Sequence, residues 1–159
     1  MFRVIRVSVF CLVAFAAGLV VLGCNAEPPT FQTSGEVVYS DTGELVPGSL
    51  TIWLEATNPP YQRSLGIVTD GKFTLGTSRE DNGSIAGEHR VRFDPFVPNG
   101  AALESAESAL GRVMHTKYLE FRTSGLVVKI EATPTNTLRL TVDPPPGRKG
   151  IGKGKPTPK

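Results

Sequence analysis

The side chains best suited to chemistry in this chain are two histidines and the hydroxyl and carboxylate groups near the second of them. Ser105 and Ser108 precede His115, and Glu120 follows it, so the residue types of a hydrolytic triad occur in one short segment. The other imidazole, His89, stands apart in the sequence. A serine hydrolase also needs a sharp turn of the Gly-x-Ser-x-Gly type and an oxyanion hole, and neither pattern occurs. We therefore predict no catalytic residue, and a protein that is not an enzyme.

Metal and nucleotide sites are not predicted either. The chain has no His-x-His pair or clustered carboxylates of the kind that metal sites use. Asp70, together with Asp81-Asn82, carries the oxygen ligands that calcium prefers, but Asp70-Gly71 is already explained as a turn signal. Residues 147–154 match the start of a phosphate-binding loop, yet Gly154 stands where the magnesium-binding hydroxyl is needed. We expect no metal, no cofactor and no nucleic-acid partner.

A lone cysteine near the start of the chain carries a stronger signal. Cys24 closes an almost wholly apolar run, Val7 to Leu22, which follows Arg3 and Arg6. A short basic start, an apolar stretch and small residues at its end are typical of a secretory signal. The run is slightly short for a membrane-spanning helix, which needs about 20 apolar residues.

The end of this run, Val21-Leu22-Gly23-Cys24, resembles the lipobox of bacterial lipoproteins: an aliphatic residue, a variable one, Gly or Ala, and then Cys. The resemblance implies cleavage between Gly23 and Cys24 and the attachment of diacylglycerol and a further acyl chain such as palmitate to Cys24. Stable anchoring takes more than one acyl chain, at about 0.8 kcal/mol per buried CH₂, and a di- or triacylated cysteine meets that requirement. An uncleaved anchor helix and a simple secreted protein are the alternatives.

After this segment apolar and polar residues alternate, which is the pattern of β-strands with one buried face. Seven short strands are predicted, beginning near residues 31, 49, 65, 72, 88, 126 and 138. In Glu88 to Asp94 the alternation places His89, Val91 and Phe93 inward and Glu88, Arg90, Arg92 and Asp94 outward. The dipeptide Asp70-Gly71 between two of them is a strong hairpin signal. Short strands separated by turn signals predict an all-β fold, here a seven-stranded, transthyretin-like or Ig-like β-sandwich. The exception is Pro95 to Ser124, which predicts a long loop carrying a short helix within Ala101 to Met114.

Trp53 is the candidate residue for a binding surface. The alternation places it on the opposite face of its strand from Leu50, Ile52 and Leu54, and therefore away from the core. We favour a cover over Trp53 formed by the weak apolar stripe of the long loop. The residues of that stripe are Leu103, Leu110 and Met114. The alternative is an exposed Trp53 that anchors a protein partner or stacks on a sugar ring.

Five stretches in order carry a second resemblance. They are SGEVVYSDTGELVPGSLTIWLEA, TDGKFTLGT, IAGEHRVRF, TKYLEFRTSGL and the two final strands. Together they resemble the carboxypeptidase-regulatory-like, or transthyretin-like, domain of small bacterial lipoproteins, over about Phe31 to Val142. His89 stands where that family usually has Tyr, and Ala101 to Arg112 is longer than the usual loop. The resemblance implies a fold and a location rather than an activity.

The predicted organisation has four parts. Residues 1–23 form a lipoprotein signal peptide, 24–30 an acylated cysteine and spacer, 31–143 the β-sandwich, and 144–159 a disordered basic Gly/Lys/Pro tail. We expect an extracytoplasmic lipoprotein, anchored to the membrane through Cys24, whose domain is a non-catalytic structural or binding module of the cell envelope. Envelope proteins or glycans are the expected partners. The alternative is an accessory carbohydrate- or protein-binding subunit of an envelope complex.

Overall fold

The computed structural model describes residues 27–96 and 105–148. The predicted signal peptide, Gly23, Cys24, Leu103 and residues 149–159 lie outside the described residues. The strands are β1 (Thr30–Tyr39), β2 (Ser49–Ala56), β3 (Arg63–Thr69), β4 (Lys72–Thr74), β5 (Ser84–Ile85), β6 (Gly87–Pro95), β7 (Leu126–Ile130) and β8 (Thr135–Val142). The helices are α1 (Ala106–Gly111), a 3₁₀ helix (Thr116–Leu119) and α2 (Phe121–Ser124). The prediction of a mostly β domain is confirmed, and β5 is a strand that the pattern did not predict.

The alternation of apolar residues sets which face of each strand is buried. In β2, Leu50, Ile52 and Leu54 are at most 2 % exposed, whereas Trp53 between them is half-buried. In β6, His89 shares the fully buried face with Val91 and Phe93. Successive side chains of a strand point to opposite faces, so both predicted inward faces are confirmed.

The strands form one curled sheet, a half-barrel, along the path β5-β1-β4-β3-β2-β6-β7. β8 is joined to this path by pairing with β1, and that pair is parallel from Gln32–Thr135 to Tyr39–Val142. All the other pairs among the described strands are antiparallel. Because parallel strands need a crossover connection, β1 and β8 are joined through the whole of the chain between them, which forms the other six strands.

The predicted hairpin forms between β3 and β4. Asp70 and Gly71 both have left-handed backbone angles, with φ of 47° and 79°, as the tightest hairpin turns require. A Cβ atom on Gly71 would lie 2.8 Å from Cβ of Leu45, so the position also leaves no room for a side chain. This turn is confirmed.

The helical segment after β6 fills the open side of the curled sheet. Leu110 and Met114 are fully buried in the core, and the ring of Tyr118 meets that of Phe93 edge-on at 6.4 Å. Tyr39 Oη on β1 donates to the carbonyl of Val113 at 2.8 Å, while the three helices contact β6. The segment therefore bridges the two ends of the half-barrel.

This placement corrects the predicted cover of Trp53. Leu110 and Met114 point into the core, and Trp53 is not among the residues packed against that core. The sequence predicts that this stripe packs on Trp53, because the stripe needs an apolar surface and the alternation places Trp53 outside the core. Its two described residues instead complete the core, because a half-barrel leaves one side open for them.

The C-terminal end of the described residues lies against the sheet. At the start of the predicted tail, the Arg148 guanidinium lies 4.0 Å from the centre of the Tyr39 ring and pairs with Glu44 at 3.2 Å. The Arg148 side chain is thus in contact with β1 and the turn after it, while the basic residues from Lys149 onward lie outside the described residues. No helix in residues 27–96 and 105–148 has both the length and the apolar character needed to cross a membrane.

Candidate functional site

The outer face of the sheet, which points away from the core, carries an ordered set of charged and aromatic side chains. Strands β3, β2 and β6 are neighbours, so their residues form rows across the sheet. One row is Arg63–Glu55–Arg90, and the next is Leu65–Trp53–Arg92. Directly opposed residues on one face lie about 5 Å apart, so the register brings these six side chains together.

Three guanidinium groups of this face converge on one ring. The central carbons of Arg63, Arg90 and Arg92 lie 5.9, 6.0 and 5.4 Å from the centre of the Phe121 ring in α2. We call Arg63, Arg90 and Arg92 the arginine cluster. A cation within about 6 Å of an aromatic ring is attracted by the electrons of its face, so Phe121 helps to hold the three side chains side by side.

Carboxylates hold the arginine cluster from within the sheet. Glu55 accepts from Nε and Nη2 of Arg63 at 2.9 and 2.7 Å with one oxygen, and from Nη2 of Arg90 at 2.8 Å with the other. Asp94 pairs with Arg92. The hydrogen bond from Arg63, together with the nearby charges of Arg63 and Arg90, holds the pKa of Glu55 below its ordinary value despite partial burial.

Trp53 lies at the centre of this face. The Arg92 guanidinium is 5.3 Å from the centre of its ring. Its Nε1 atom is buried and has no hydrogen-bond partner among the described residues. The predicted position of Trp53 outside the core is confirmed. The contact described for its ring is with Arg92, whereas Leu110 and Met114 of the apolar stripe lie in the core.

An open groove of about 650 Å³ adjoins this face. We call it the hairpin groove; it is bounded by β3, β4 and the loop 76–81. Its apolar part is formed by Leu65 and Ile67, which are 44 % and 50 % exposed. Because Leu65 also pairs with Trp53 across the strands, the groove and the arginine cluster form one continuous surface.

The sequence pattern predicts which residues of β2 and β6 lie on this surface. The alternation in Glu88 to Asp94 was already expected to place Arg90 and Arg92 outward, and Glu55 follows Trp53 on the same face. Nothing in the pattern predicts that β2 lies between β3 and β6, or that Phe121 covers the three arginines. Those neighbours come from distant parts of the chain.

His89 belongs to a buried polar chain rather than to this surface. Its Nδ1 atom lies 3.1 Å from the Gly87 carbonyl, to which it donates, and its Nε2 atom lies 3.2 Å from Ser84 Oγ. Ser64 Oγ donates to Ser84 Oγ at 2.8 Å and lies 2.8 Å from Thr77 Oγ1. Burial lowers the pKa of His89, and the hydrogen bond to Gly87 opposes this only in part. His89 is therefore a neutral core residue.

Among the described residues, no side-chain hydrogen bond links His115 to Ser105, Ser108 or Glu120. Ser105 Oγ accepts from Ser108 N at 3.2 Å and begins α1. His115 Nδ1 accepts from Lys117 N at 3.1 Å and begins the 3₁₀ helix. Glu120 lies 3.9 Å from Arg122. Each of these polar groups has a local role at a helix start or in a surface ion pair.

The candidate calcium ligands have local roles as well. Asp70 Oδ1 accepts from Gly48 N at 3.1 Å, and Asn82 Oδ1 accepts from Thr77 N at 2.6 Å. Within the described ranges, no three His, Cys, Asp or Glu residues are arranged to hold a metal ion.

Comparison with known proteins adds little to this geometry. No family model matches the chain, and no curated protein sequence matches it. A similar solved structure is the crystal structure of a 9R-lipoxygenase from Cyanothece PCC8801, with a TM-score of 0.38 and 15 % sequence identity over 75 % of this chain. This chain spans 18 % of the length of that protein. A TM-score of this size does not establish a common fold.

Proposed function

We propose that this protein is an extracytoplasmic lipoprotein, anchored to a membrane through acylated Cys24, whose β domain is a non-catalytic structural or binding module of the cell envelope. The observation that carries the proposal is the sequence Val21-Leu22-Gly23-Cys24 at the end of an apolar run with a basic start. A thiol beside a small residue is what lipid transfer and cleavage require, and two or more acyl chains suffice for stable anchoring.

The position of the domain relative to Cys24 supports this reading. Strand β1 begins at Thr30, so a spacer of a few residues with Pro28-Pro29 separates the domain from the cysteine. Pro-rich segments are extended and semi-rigid. Such a spacer holds a folded domain just outside the bilayer surface.

We propose a transthyretin-like sandwich as the finer description of the fold. The curled sheet brings β7 against β8, and the side chains of β1, β2, β6 and β8 share one core. The inner faces of two halves of the sheet therefore face each other, as in a sandwich. The resemblance of five sequence stretches to the carboxypeptidase-regulatory-like domain agrees with this proposal.

The second candidate function is an accessory carbohydrate- or protein-binding subunit of an envelope complex. It is favoured by the exposed apolar pair Leu65 and Ile67 beside Trp53 and the arginine cluster. Trp and Arg are enriched at the centres of binding surfaces. Loss of a bound partner after a substitution on this face would favour the second candidate over a purely structural role.

The anchor is tested by replacing each cysteine in turn. Cys24→Ser should abolish the incorporation of labelled palmitate and release the protein from membranes or leave it unprocessed. Cys11→Ser, which removes the thiol within the apolar run, should leave both properties unchanged. If Cys24→Ser is labelled as strongly as the parent protein, the proposed anchor is wrong.

A further inference from the structure

The arginine cluster carries one more positive charge than the carboxylates that pair with it. Three guanidinium groups surround the Phe121 ring, whereas the carboxylates paired with them in the described residues are Glu55 and Asp94. The charges of Glu120 and Arg122, which pair beside Phe121, cancel each other. Like charges at this spacing repel one another, so an added anion would relieve the excess.

The donors of the arginine cluster also outnumber its acceptors. Each guanidinium carries five N–H groups, and Arg63 uses two of its nitrogens and Arg90 one of its nitrogens on Glu55. Arg92 uses Nη1 for both Asp94 and the Leu119 carbonyl. The side chains of Arg63 and Arg90 are 62 % and 47 % exposed. Free donors therefore face the solvent on groups already held in place, as bidentate recognition of an oxyanion requires.

The hairpin groove next to the arginine cluster has a different character. Its charged residues balance, with Lys72 and Arg79 against Glu80 and Asp81. Besides Leu65 and Ile67, its lining includes the hydroxyl-bearing residues Thr69, Thr74 and Ser78. A sugar ring likewise has an apolar face and a rim of hydroxyl groups. The groove thus suits the uncharged part of a ligand whose anionic group sits at the arginine cluster.

We propose that this surface binds an acidic polysaccharide, with a sugar carboxylate at Arg63 and Arg90 and the neighbouring sugar rings along Leu65 and Ile67. The inference deepens the proposed function, because it rests on an extracytoplasmic location where such polymers occur. It names the class of partner for the binding module.

The experiment is a titration of the purified full chain, in micelles of an uncharged detergent, with a galacturonic acid oligosaccharide. Trp53 is the single tryptophan and adjoins Arg92, so its fluorescence reports binding directly. We expect a saturable change that weakens as salt is added, and no change with a neutral glucose oligosaccharide of the same length. Arg63→Gln and Arg90→Gln should each weaken binding roughly tenfold or more, as expected for the loss of a charge-assisted hydrogen bond.

Arg139→Gln is the matched control. Arg139 is 63 % exposed and lies 3.6 Å from Glu36 on another part of the sheet, so this variant makes the same charge change away from the surface. It should bind the acidic oligosaccharide as the parent protein does. Circular dichroism of each variant verifies that it is folded.

Four results would overturn the proposal. They are equal binding of the neutral sugar, an equal loss of affinity in Arg139→Gln, binding of inorganic phosphate or an acidic peptide in place of the oligosaccharide, and the absence of any saturable change. None of these results depends on acylation, so a failure here is distinct from a failure of the Cys24 labelling experiment.

Discussion

Removing one hydroxyl from the buried polar chain around His89 should have very different effects depending on which serine is changed. Ser64 and Ser84 are 2 % and 0 % exposed and hydrogen-bonded to each other. Replacing either by Ala removes one oxygen from the same buried site. We expect Ser84→Ala to lower the free energy of unfolding clearly more than Ser64→Ala does.

The reason lies in the number of hydrogen atoms that the hydroxyl groups of Ser64, Thr77 and Ser84 can donate. Neutral His89 donates through Nδ1 to the Gly87 carbonyl, so its Nε2 atom must accept from Ser84. Ser64 donates to Ser84, and Thr77 donates to the Gly83 carbonyl at 2.7 Å. All three hydroxyl hydrogens are then in use, and none remains for the 2.8 Å contact between Ser64 and Thr77.

Ser64→Ala therefore removes the Ser64–Thr77 contact, which has no hydrogen atom to share. Ser84, Thr77 and His89 each keep a hydrogen-bond partner. Its cost should be that of one ordinary hydrogen bond, about 1 kcal/mol or less. Ser84→Ala instead leaves Nε2 of His89 buried without a donor. An unsatisfied buried polar group costs about 1–3 kcal/mol, so the two variants should differ by roughly 1–2 kcal/mol.

The measurement is urea denaturation near neutral pH, followed by the fluorescence of Trp53, with the free energies extrapolated to water. The two variants delete the same atoms at comparable burial, so loss of packing largely cancels in the comparison. Equal costs, or a greater cost for Ser64→Ala, would refute the count of hydrogens and the neutral state of His89.

Two further predictions concern the same core. Because burial lowers the pKa of His89 from its ordinary 6.5, the unfolded chain takes up this proton first as the pH falls. The free energy of unfolding should therefore drop below pH 6.5 by up to about 1.4 kcal/mol per pH unit until the folded pKa is reached. Between pH 6.5 and about 5.5, where Glu55 and Asp143 are still ionised in the unfolded chain, urea titrations should show this slope in the parent and in His115→Gln but not in His89→Gln. A slope of the same size in His89→Gln over this range would contradict the prediction. A Cβ atom at Gly35 would lie 2.4 Å from the Leu138 carbonyl oxygen and 2.7 Å from the Phe73 ring, so Gly35→Ala should cost about 1–3 kcal/mol by overpacking. Gly111→Ala is the control: its Cβ atom would lie 3.3 Å from the Thr116 side chain, at a helical position, so it should be neutral or slightly stabilising. Equal melting temperatures for the two variants would contradict the close approach of β1 and β8.

Local pattern predicted most of the secondary structure for a simple reason. The side chains of a strand alternate with a period of two, so Leu50, Ile52 and Leu54 identify both their strand and its buried face. The turn at Asp70-Gly71 is equally local, because its left-handed angles depend on those two residues alone. The two residues of β5 are too few to produce a pattern, and this strand exists because β1 supplies its partner.

The sequence by itself determined which residues of each strand face the core, where the hairpin turns, and that Cys24 follows a signal-like segment. Only the tertiary structure decided that β8 pairs in parallel with β1, that Leu110 and Met114 enter the core, and that Arg63, Arg90 and Arg92 meet around Phe121. The physical reason is the range of the forces involved. Backbone angles and the alternation of faces are determined by residues close together in the sequence. The order of the strands and the neighbours of a surface side chain depend on the packing of the whole core.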